Sequence, residues 1–441
     1  MLRRMNNWTS CAILGIVMSG AAHAQLVEPL VWRFELDGPF AGADVGVGPD
    51  GTVYASDSTT LYAINADGSF KWTRDGLGDG TPISFLDDGA IVVGTGQTVW
   101  ALENDGSTRW SFSFDGNNGL ESIEVGPSVG PDGNIYCVTS VKDGFGLGAF
   151  SLTPDGDFRW SNEGTPTLDN LNGTNFGPVY FTSEQMIFPF NNVQDSPPHV
   201  HGFDLDGDQS LYVDFTCTSV PRVAPFDRLV LSGACGVQAI DPQTEEIFWT
   251  VDFGEGTLLP AIDETGMIYS GEFLHDLTAL NPDGSIAWTS DTAAEVVRVL
   301  GAHAGTERVV YRTAGFGDPV PVGIVDSTDG TLLGTLLLEQ VGEDNELVES
   351  AQVAFSADGT IAYFSTRFTG AAAPSAVYAM RVVESGCAAD FNGDGVLNVL
   401  DFVAFQNAFV QQDPKADCDV NGAFNILDFV CFQNLFGAGC P

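Results

Sequence analysis

Two short stretches near the carboxy-terminal end carry the residues best suited to chemistry. They are DFNGDGVLNVLD, which begins at Asp390, and DCDVNGAFNILD, which begins at Asp417. Each stretch places Asp or Asn oxygens at positions 1, 3, 5, 9 and 12, a glycine at position 6 and a backbone carbonyl at position 7. Ca²⁺ takes six to eight oxygen ligands at about 2.3–2.6 Å, and this spacing wraps the chain around one ion. The sequence therefore predicts two calcium ions.

The predicted ligands are the side-chain oxygens of Asp and Asn and one carbonyl in each loop. The first loop supplies Asp390, Asn392, Asp394, Val396 (carbonyl), Asn398 and Asp401. The second loop supplies Asp417, Asp419, Asn421, Ala423 (carbonyl), Asn425 and Asp428. The alternative is a pair of Asx-rich turns without metal, which would require twelve coordinating positions to coincide by chance.

Each loop leads into a predicted amphipathic helix, LDFVAFQNAF (400–409) or LDFVCFQNLF (427–436), with apolar residues at a period of 3.6. Two EF-hand-like loop–helix halves without an entering helix resemble the type I dockerin over about residues 385–441. The short Asp at position 12, where a full EF-hand has Glu, fits that family. The resemblance implies a module that folds on calcium and attaches a secreted protein to a cohesin module on a scaffold.

The residues at loop positions 10 and 11 depart from the dockerin pattern. Dockerins usually recognise cohesin through these positions, often Ser-Thr, whereas this chain has Val399-Leu400 and Ile426-Leu427. The departure leaves the partner open between a cohesin-like module, another extracellular protein and the preceding part of this same chain.

The body of the chain, residues 25–384, is built from a repeated phrase, LYAINADGSFKW at 61–72. Clear copies are VWALENDGSTRW (99–110), AFSLTPDGDFRW (149–160), VQAIDPQTEEIFW (237–249) and LTALNPDGSIAW (277–288). In weaker copies at 201–211 and 323–334, Leu211 and Gly334 replace the tryptophan, and a last copy, 377–383, stops before its turn. Asp-Gly favours a tight hairpin turn. Spacings of 37 to 55 residues between copies predict an all-β propeller, a ring of small sheets or blades.

The copies predict eight blades, and seven is the alternative because the fourth and seventh copies are degraded. The strand at 27–36, VEPLVWRFEL, has no copy of the repeat before it, and the last copy lacks an outermost strand. We expect the N-terminal strand to complete the final blade and close the ring, which removes an exposed sheet edge. Insertions in blades three, four and eight are the predicted binding loops. His199 and His201 fall in one of these insertions, and an exposed loop pair without a metal is the prediction for them.

The phrase resembles the pyrroloquinoline-quinone-like propeller repeat of quinoprotein dehydrogenases and outer-membrane assembly propellers, over about residues 27–383. The resemblance implies that Trp72, Trp110, Trp160, Trp249 and Trp288 pack between blades. Quinone-dependent enzymes of this family carry adjacent cysteines and a cofactor-stacking tryptophan. Because the chain has no Cys-Cys pair, we expect no quinone cofactor.

The N-terminus predicts export. Arg3 and Arg4 precede an apolar run at 11–22 and an Ala-His-Ala site, which predicts a signal peptide over residues 1–24. No later run reaches about 18 apolar residues, so no membrane insertion is expected. The formal net charge is −43, which argues against nucleic acid as a partner because both would be anionic.

The eight cysteines suit a secreted protein. Three disulfides are predicted: Cys387–Cys440, which brackets the calcium module, Cys418–Cys431 within its second half, and Cys217–Cys235 between blades four and five. The first half of the module has Phe391 and Ala404 where the second has Cys418 and Cys431. Cys137, in a blade strand, is expected to be a buried free thiol.

Three functions follow from these features. The preferred one is a secreted, non-catalytic propeller that binds a protein or glycan and is tethered through the calcium module. The first alternative is a polysaccharide-degrading enzyme or a component of such an enzyme complex, since dockerins accompany polysaccharide catabolism. That enzyme would need a carboxylate pair, which the many acidic residues do not single out. The second alternative is a quinone-dependent dehydrogenase.

Overall fold

The computed structural model describes the two C-terminal helices and most of the predicted propeller. The described residues are 29–37, 45–78, 82–114, 120–141, 147–162, 179–190, 199–214, 222–225, 227–233, 236–253, 257–273, 275–290, 296–313, 320–338, 340–341, 344–348, 352–368, 375–383, 389, 391, 397–411, 416, 418 and 424–438. The predicted signal peptide lies outside these residues, as do the centres of the three predicted binding loops.

The described residues form eight sheets, which confirms an eight-bladed rather than a seven-bladed propeller. Strand order follows chain order within each of the first seven blades. Blade 1 contains β2 (Gly46–Val47), β3 (Val53–Ser56), β4 (Thr60–Ile64) and β5 (Phe70–Asp75). Blade 2 contains β6 (Ser84–Phe85), β7 (Ile91–Thr95), β8 (Thr98–Leu102) and β9 (Thr108–Ser113). Blade 3 contains β10 (Leu120–Val129), β11 (Ile135–Val141), β12 (Leu147–Leu152) and β13 (Phe158–Asn162). Blade 4 contains β14 (Tyr180–Phe181), β15 (Gln185–Phe190), β16 (His199–Asp204) and β17 (Gln209–Asp214).

The second half of the ring repeats this plan. Blade 5 contains β18 (Arg222–Ala224), β19 (Arg228–Gly233), β20 (Gly236–Ile240) and β21 (Ile247–Val251). Blade 6 contains β22 (Ala261–Ile262), β23 (Ile268–Gly271), β24 (Leu277–Leu280) and β25 (Ile286–Thr289). Blade 7 contains β26 (Val296–His303), β27 (Arg308–Thr313), β28 (Pro321–Asp326) and β29 (Leu332–Leu337), with a short 3-10 helix at Ala304–Thr306. Blade 8 contains β32 (Ala354–Phe355), β33 (Ile361–Phe368), β34 (Ala376–Arg381) and β1 (Leu30–Glu35).

The N-terminal strand closes the ring, as predicted. β1 pairs antiparallel with β34, with Phe34 opposite Val377. The first strands of neighbouring blades contact one another, including β2 of blade 1 and β32 of blade 8. A hairpin of β30 (Gln340–Val341) and β31 (Asp344–Val348) also pairs with the far end of β33. The sequence analysis did not predict this hairpin.

The middle strands of a blade are buried on both faces, because every sheet lies between two others. β4 is apolar and buried on both faces from Leu61 to Ile64. One apolar cluster, for example, joins Val53 and Tyr62 of blade 1 to Tyr363 and Val377 of blade 8. A single four-stranded sheet could not bury these residues alone, which is why the unit must repeat around a ring.

At six of the eight boundaries between blades, which we call seams, a tryptophan packs on a glycine. The indole comes from the outermost strand of one blade, and the glycine from the turn between the third and fourth strands of the next, which we call the outer turn. The six pairs are Trp32–Gly68, Trp72–Gly106, Trp110–Gly156, Trp160–Gly207, Trp249–Gly284 and Trp288–Gly330. The resemblance to the quinoprotein-like repeat implied that Trp72, Trp110, Trp160, Trp249 and Trp288 pack between blades, and the structure confirms this. The sequence analysis did not predict this role for Trp32.

Two requirements fix glycine in these turns. Gly156, for example, has φ +84°, and an added Cβ would lie 2.6 Å from Trp110. All six indole N–H groups also donate to a carbonyl of the same turn, at 2.8 to 3.1 Å. Each half-buried indole thereby satisfies its polar atom while its ring covers the bare backbone.

A buried polar cluster fastens the closing strand. Glu346 of β31 is fully buried and accepts hydrogen bonds from Tyr378 Oη at 2.5 Å and Thr366 Oγ1 at 2.5 Å. Arg33 of β1 approaches Glu346 at 3.4 Å and also pairs with the exposed Glu35 at 2.7 Å. The extra hairpin thus supplies the acid that holds β1 in the final blade.

The structure corrects one local prediction. His199 and His201 lie in β16, paired with Phe190 and Phe188 of β15, rather than in a loop. The reason is the apolar Val200 between them, which is buried and continues the strand of the blade. The two predicted helices are present as α1 (Val399–Gln411) and α2 (Ile426–Ala438). Neither of these described helices has the length and apolar run that crossing a membrane requires.

We predict that Gly156→Ala lowers the free energy of unfolding more than Gly76→Ala. Both glycines have positive φ, but nothing lies within 4 Å of a Cβ added at Gly76. Gly76→Ala should therefore cost only the backbone strain, about 1–2 kcal/mol. Gly156→Ala should cost about 1–3 kcal/mol more because the Cβ meets Trp110. Urea unfolding measures both, and equal losses would contradict the indole–glycine contact as a stabilising element.

We also predict that Glu346→Gln is far more destabilising than Glu35→Gln. Both carboxylates pair with Arg33, but only Glu346 is buried. Breaking a buried pair costs about 3–5 kcal/mol, whereas an exposed pair contributes under about 1 kcal/mol. Thermal unfolding of the two variants checks this difference. Similar melting temperatures would show that the buried cluster does not hold the ring closed.

Candidate functional site

Each C-terminal helix begins at an Asn that caps it. Asn398 Oδ1 accepts from the backbone N–H of Leu400 at 2.7 Å, and Asp401 Oδ2 accepts from the N–H of Asn398 at 2.8 Å. Asn425 and Asp428 repeat both bonds at 2.8 Å in the second half. These reciprocal bonds satisfy N–H groups that a helix start would otherwise leave without partners. In each half, the predicted ligands at loop positions 9 and 12 therefore lie next to each other, and their arrangement is the same in both halves.

Asp401 and Asp428 are both fully buried. A buried carboxylate is costly unless positive charge or hydrogen bonds compensate it. The sequence from 385 to 441 contains seven Asp and one Lys, and neither Arg nor His. Hard carboxylate and amide oxygens around buried negative charge form the donor set that Ca²⁺ takes. The residues present thus fit the predicted metal.

The remaining predicted ligands lie outside the described residues. They are Asp390, Asn392, Asp394, Val396, Asp417, Asp419, Asn421 and Ala423. Within the described parts of the chain, no three His, Cys, Asp or Glu side chains converge as a metal site. The calcium sites therefore stay a prediction from sequence.

The two halves share a core of phenylalanine rings. Phe405 of α1 and Phe432 of α2 are buried and stack at 4.3 Å with an interplanar angle of 8°. Phe391, from the first loop, meets both rings edge-on at 5.3 and 6.0 Å. Because an aromatic core ties the first loop to both helices, ordering that loop and packing the helices are coupled events.

The cysteines follow the prediction where the structure describes them. Cys418 and Cys431 form a disulfide within the second half. Cys137 is a buried free thiol in β11, and burial raises its pKa. The predicted pairs Cys387–Cys440 and Cys217–Cys235 lie outside the described residues.

The same repeat leaves apolar side chains in solvent at the start of both helices. Val399 is 70% exposed and Ile426, its counterpart, 71% exposed. Leu400 and Leu427 are also exposed, and so are Val403 and Val430 one turn further on. The sequence had indicated the first two positions of each helix, and the third could have been found from its spacing along one helix face.

The propeller has a depression on the face that carries the outer turns. The turns between the first and second strands of each blade, which we call inner turns, lie on that face too. A depression of about 510 Å³ opens among the inner turns of blades 3 to 6. Asp227 there accepts from Ser183 N–H at 2.8 Å, and Asp263 accepts from Tyr269 Oη at 2.9 Å. The carboxylates that line it therefore already serve neighbouring backbone and side chains.

Three aspartates of the repeated outer turns have lowered pKa values. Asp67 accepts from the hydroxyl of Ser69 at 2.6 Å and from its N–H at 2.9 Å, and these bonds lower its pKa. Bonds from Ser107 and Ser285 lower the pKa values of Asp105 and Asp283 in the same way. A general acid needs the opposite shift, so these carboxylates are suited to holding turns.

Comparison with known proteins agrees with this architecture. A family model described as outer membrane protein assembly factor BamB matches residues 25–179. The repeat phrase, the ring of eight blades and this match support a propeller of the pyrroloquinoline-quinone-like type. No curated protein matches the sequence.

Solved propellers resemble the chain in fold at low sequence identity. BamB from Moraxella catarrhalis is 14% identical, with 80% of this chain and 100% of that chain covered and a TM-score of 0.51. Quinohemoprotein alcohol dehydrogenase from Comamonas testosteroni is 13% identical, with 80% and 76% covered and a TM-score of 0.54. Sqt1 from Chaetomium thermophilum is 11% identical, with 80% and 98% covered and a TM-score of 0.56. At these identities the likeness concerns the fold alone.

We predict that replacing Cys418 and Cys431 together by alanine destabilises the helix pair but not the propeller. The bridge closes a loop of 13 residues, which should contribute about 3 kcal/mol. Circular dichroism at 222 nm during thermal unfolding follows the helices, because the propeller is β-structure. Cys137→Ala is the control and should leave the helical transition in place. An unchanged helical transition in the double variant would contradict a structural role for the bridge.

Proposed function

We propose that the protein is an exported, non-catalytic β-propeller that binds a protein or glycan partner and is tethered through a calcium-folded module of the dockerin type. The observation that carries the proposal is the repeated arrangement of Asp401 and Asp428. Each is a buried carboxylate at the start of a helix, in a segment with one basic residue. Calcium bound by the two loops would neutralise these acids and fix the helix starts.

The exposed apolar residues support attachment through the same module. Val399 and Leu400 occupy positions 10 and 11 of the first predicted calcium loop, and Ile426 and Leu427 the same positions of the second. Exposed apolar side chains that recur at matching positions are typical of a protein-binding surface. Their apolar character favours a partner with an apolar stripe, which a cohesin-like module or another extracellular protein could present.

Three features support a binding role over catalysis. The pKa values of Asp67, Asp105 and Asp283 in the outer turns are lowered, which suits structure rather than proton transfer. Six tryptophans are engaged at seams, and the indole N–H of Trp100 donates to Thr95 at 3.2 Å, so their packing is accounted for without a quinone. The chain also lacks the adjacent cysteines of quinone-dependent enzymes.

Export is supported by two independent features. The signal peptide predicted at 1–24 would direct the chain out of the cytosol. The disulfide Cys418–Cys431 suits an oxidising compartment. Outside the cell or in the periplasm, free calcium also reaches the millimolar concentrations at which extracellular calcium modules bind it.

We predict that Asp390→Ala combined with Asp417→Ala abolishes the calcium-induced helicity of the full chain. Position 1 of each loop would lose a carboxylate, so the loop could no longer order the helix that follows. Circular dichroism at 222 nm, with calcium and then with a chelator, measures the effect. The melting of the propeller should change little, because the substituted residues belong to the predicted module.

Asp413→Asn is the matched control, since it removes a carboxylate between the loops without touching a predicted ligand. A pull-down from extracellular material with the intact protein then tests the tether. Recovery of the same partners with and without chelator would refute calcium-dependent attachment. Release of reducing sugars from a polysaccharide would instead favour the enzymatic alternative.

A further inference from the structure

The seam between blades 4 and 5 departs from the pattern of the other seams. Leu211 lies opposite Gly202, at the register where Trp72 lies opposite Ala63 in blade 1. The facing outer turn of blade 5 has no glycine. It runs from Asp241 to Glu246, one residue longer than the turn of blade 1, and Glu245 holds positive φ. Both halves of the indole–glycine contact are therefore absent here.

A cavity of about 360 Å³ opens at this seam. We call it the seam pocket; its walls include Thr182, Asp227, Arg228, Asp241, Pro242 and Phe248. At the next seam, the corresponding residues Pro225, Gly266 and Pro282 surround Trp249, and only about 10 Å³ remains. The seam pocket thus occupies the site that an indole fills one blade further on.

Hydrogen bonds join blades 4 and 5 at this seam, but they leave the cavity between the blades unfilled. Ser183 of blade 4 donates through Oγ to Asp227 of blade 5 at 2.5 Å. Gln243 of blade 5 donates to Glu184 of blade 4 at 2.9 Å. The two blades are therefore bridged at the rim, and the cavity is not a gap between separated sheets.

The walls of the seam pocket are fixed and partly aromatic. Arg228 lies 4.9 Å from the centre of the Phe248 ring and donates to the carbonyl of Pro282 at 2.8 Å. Phe248 is 46% exposed and so presents ring surface to an incoming group. Asp227 and Asp241 place carboxylates beside it. A planar aromatic group with an N–H donor matches this combination.

We propose that the seam pocket binds a tryptophan side chain presented by a partner protein. The same fold position accepts an indole at six other seams, where its N–H donates to a turn carbonyl. Pro242 corresponds to Pro282, whose carbonyl accepts from Trp249 at 3.1 Å. The two carboxylates beside the pocket favour basic residues next to that tryptophan.

The ligand must come from another molecule. Among the described residues, six tryptophans occupy seams and Trp100 is bonded to Thr95; Trp8 falls in the predicted signal peptide. This inference deepens the proposed partner-binding role of the propeller and does not depend on calcium. Binding at the seam pocket should therefore persist in the presence of chelator. A negative result for the seam pocket can thus be told apart from a negative result for the calcium-dependent tether.

The test uses the full chain and 5-fluoroindole, followed by ¹⁹F NMR. We expect saturable binding that N-acetyl-tryptophanamide displaces and glucose at the same concentration does not. Phe248→Ala should weaken binding at least tenfold. Phe158→Ala is the matched control, because Phe158 is also 46% exposed but stacks on Phe112 of blade 2, at a seam that Trp110 fills. Equal effects of the two variants, or displacement by glucose, would overturn the proposal.

A second variant fills the seam pocket from within. It combines Leu211→Trp with replacement of residues 241–246 by Asn-Pro-Asp-Gly-Ser, the turn of blade 6 at 281–285. We expect loss of 5-fluoroindole binding and a melting temperature at or above that of the parent protein. Undiminished binding by this folded variant would show that the probe binds elsewhere. If the variant does not fold, the comparison of Phe248→Ala with Phe158→Ala decides the question.

Discussion

The contact between an indole ring and a bare glycine turn is the interaction on which the propeller depends. Blades touch closely near the axis and diverge outward, so the outermost strands need the largest side chain to stay in contact. Tryptophan fills that wedge, but its ring lies so close to the facing turn that a Cβ at Gly68 would come within 2.6 Å. The residue of the turn that faces the ring must therefore be glycine, and a carbonyl of the same turn must accept a hydrogen bond from the indole N–H.

Closure of the ring rests on a different solution. The last copy of the phrase, 377–383, is only seven residues long and lacks an outermost strand. β1, from the start of the chain, takes that place in blade 8. β1 and β34 are far apart in the chain, so no short connection keeps them together. Each backbone hydrogen bond between them closes a loop of more than 300 residues. The buried pair of Arg33 and Glu346 adds a specific polar contact at this point. Burial makes such a pair costly to break, which suits a strand that must be held in one register.

Much of the fold followed from the sequence because its signals are local. The repeat period, the Asp-Gly turns and the tryptophans lie within single blades, and they predicted eight sheets and the closing strand. The hairpin of β30 and β31 was missed because its stability depends on a remote partner, Arg33. His199 and His201 were misplaced because they follow directly on Pro197 and Pro198 of the insertion, and only Val200 between them carries the apolar pattern of the strand.

The candidate sites show the same division. The spacing of Asp and Asn predicts two calcium loops, each within one continuous segment, and they stay a prediction because only four of the twelve predicted ligands are described. Burial of Asp401 and Asp428 could not be predicted, because it depends on how the phenylalanines of the two halves pack. The seam pocket was likewise hidden. Leu211 looked like degradation of the repeat, and only the facing turn shows how much space the substitution leaves.

The two seams without tryptophan differ in a way that bears on function. Between blades 7 and 8 the contact cannot form, because blade 8 ends in β34 and β1 and has no turn joining its last two strands. Gly334 at that position follows from topology. Between blades 4 and 5 the turn exists, and nothing in the strand order excludes an indole. There the chain lacks the ring, lengthens the turn and adds the bonds Ser183–Asp227 and Gln243–Glu184. Loss of the tryptophan alone would only remove contacts. Here the interior of the seam is unfilled, but hydrogen bonds join the two blades at its edge. This arrangement leaves a cavity open at this seam, which the proposed binding site requires.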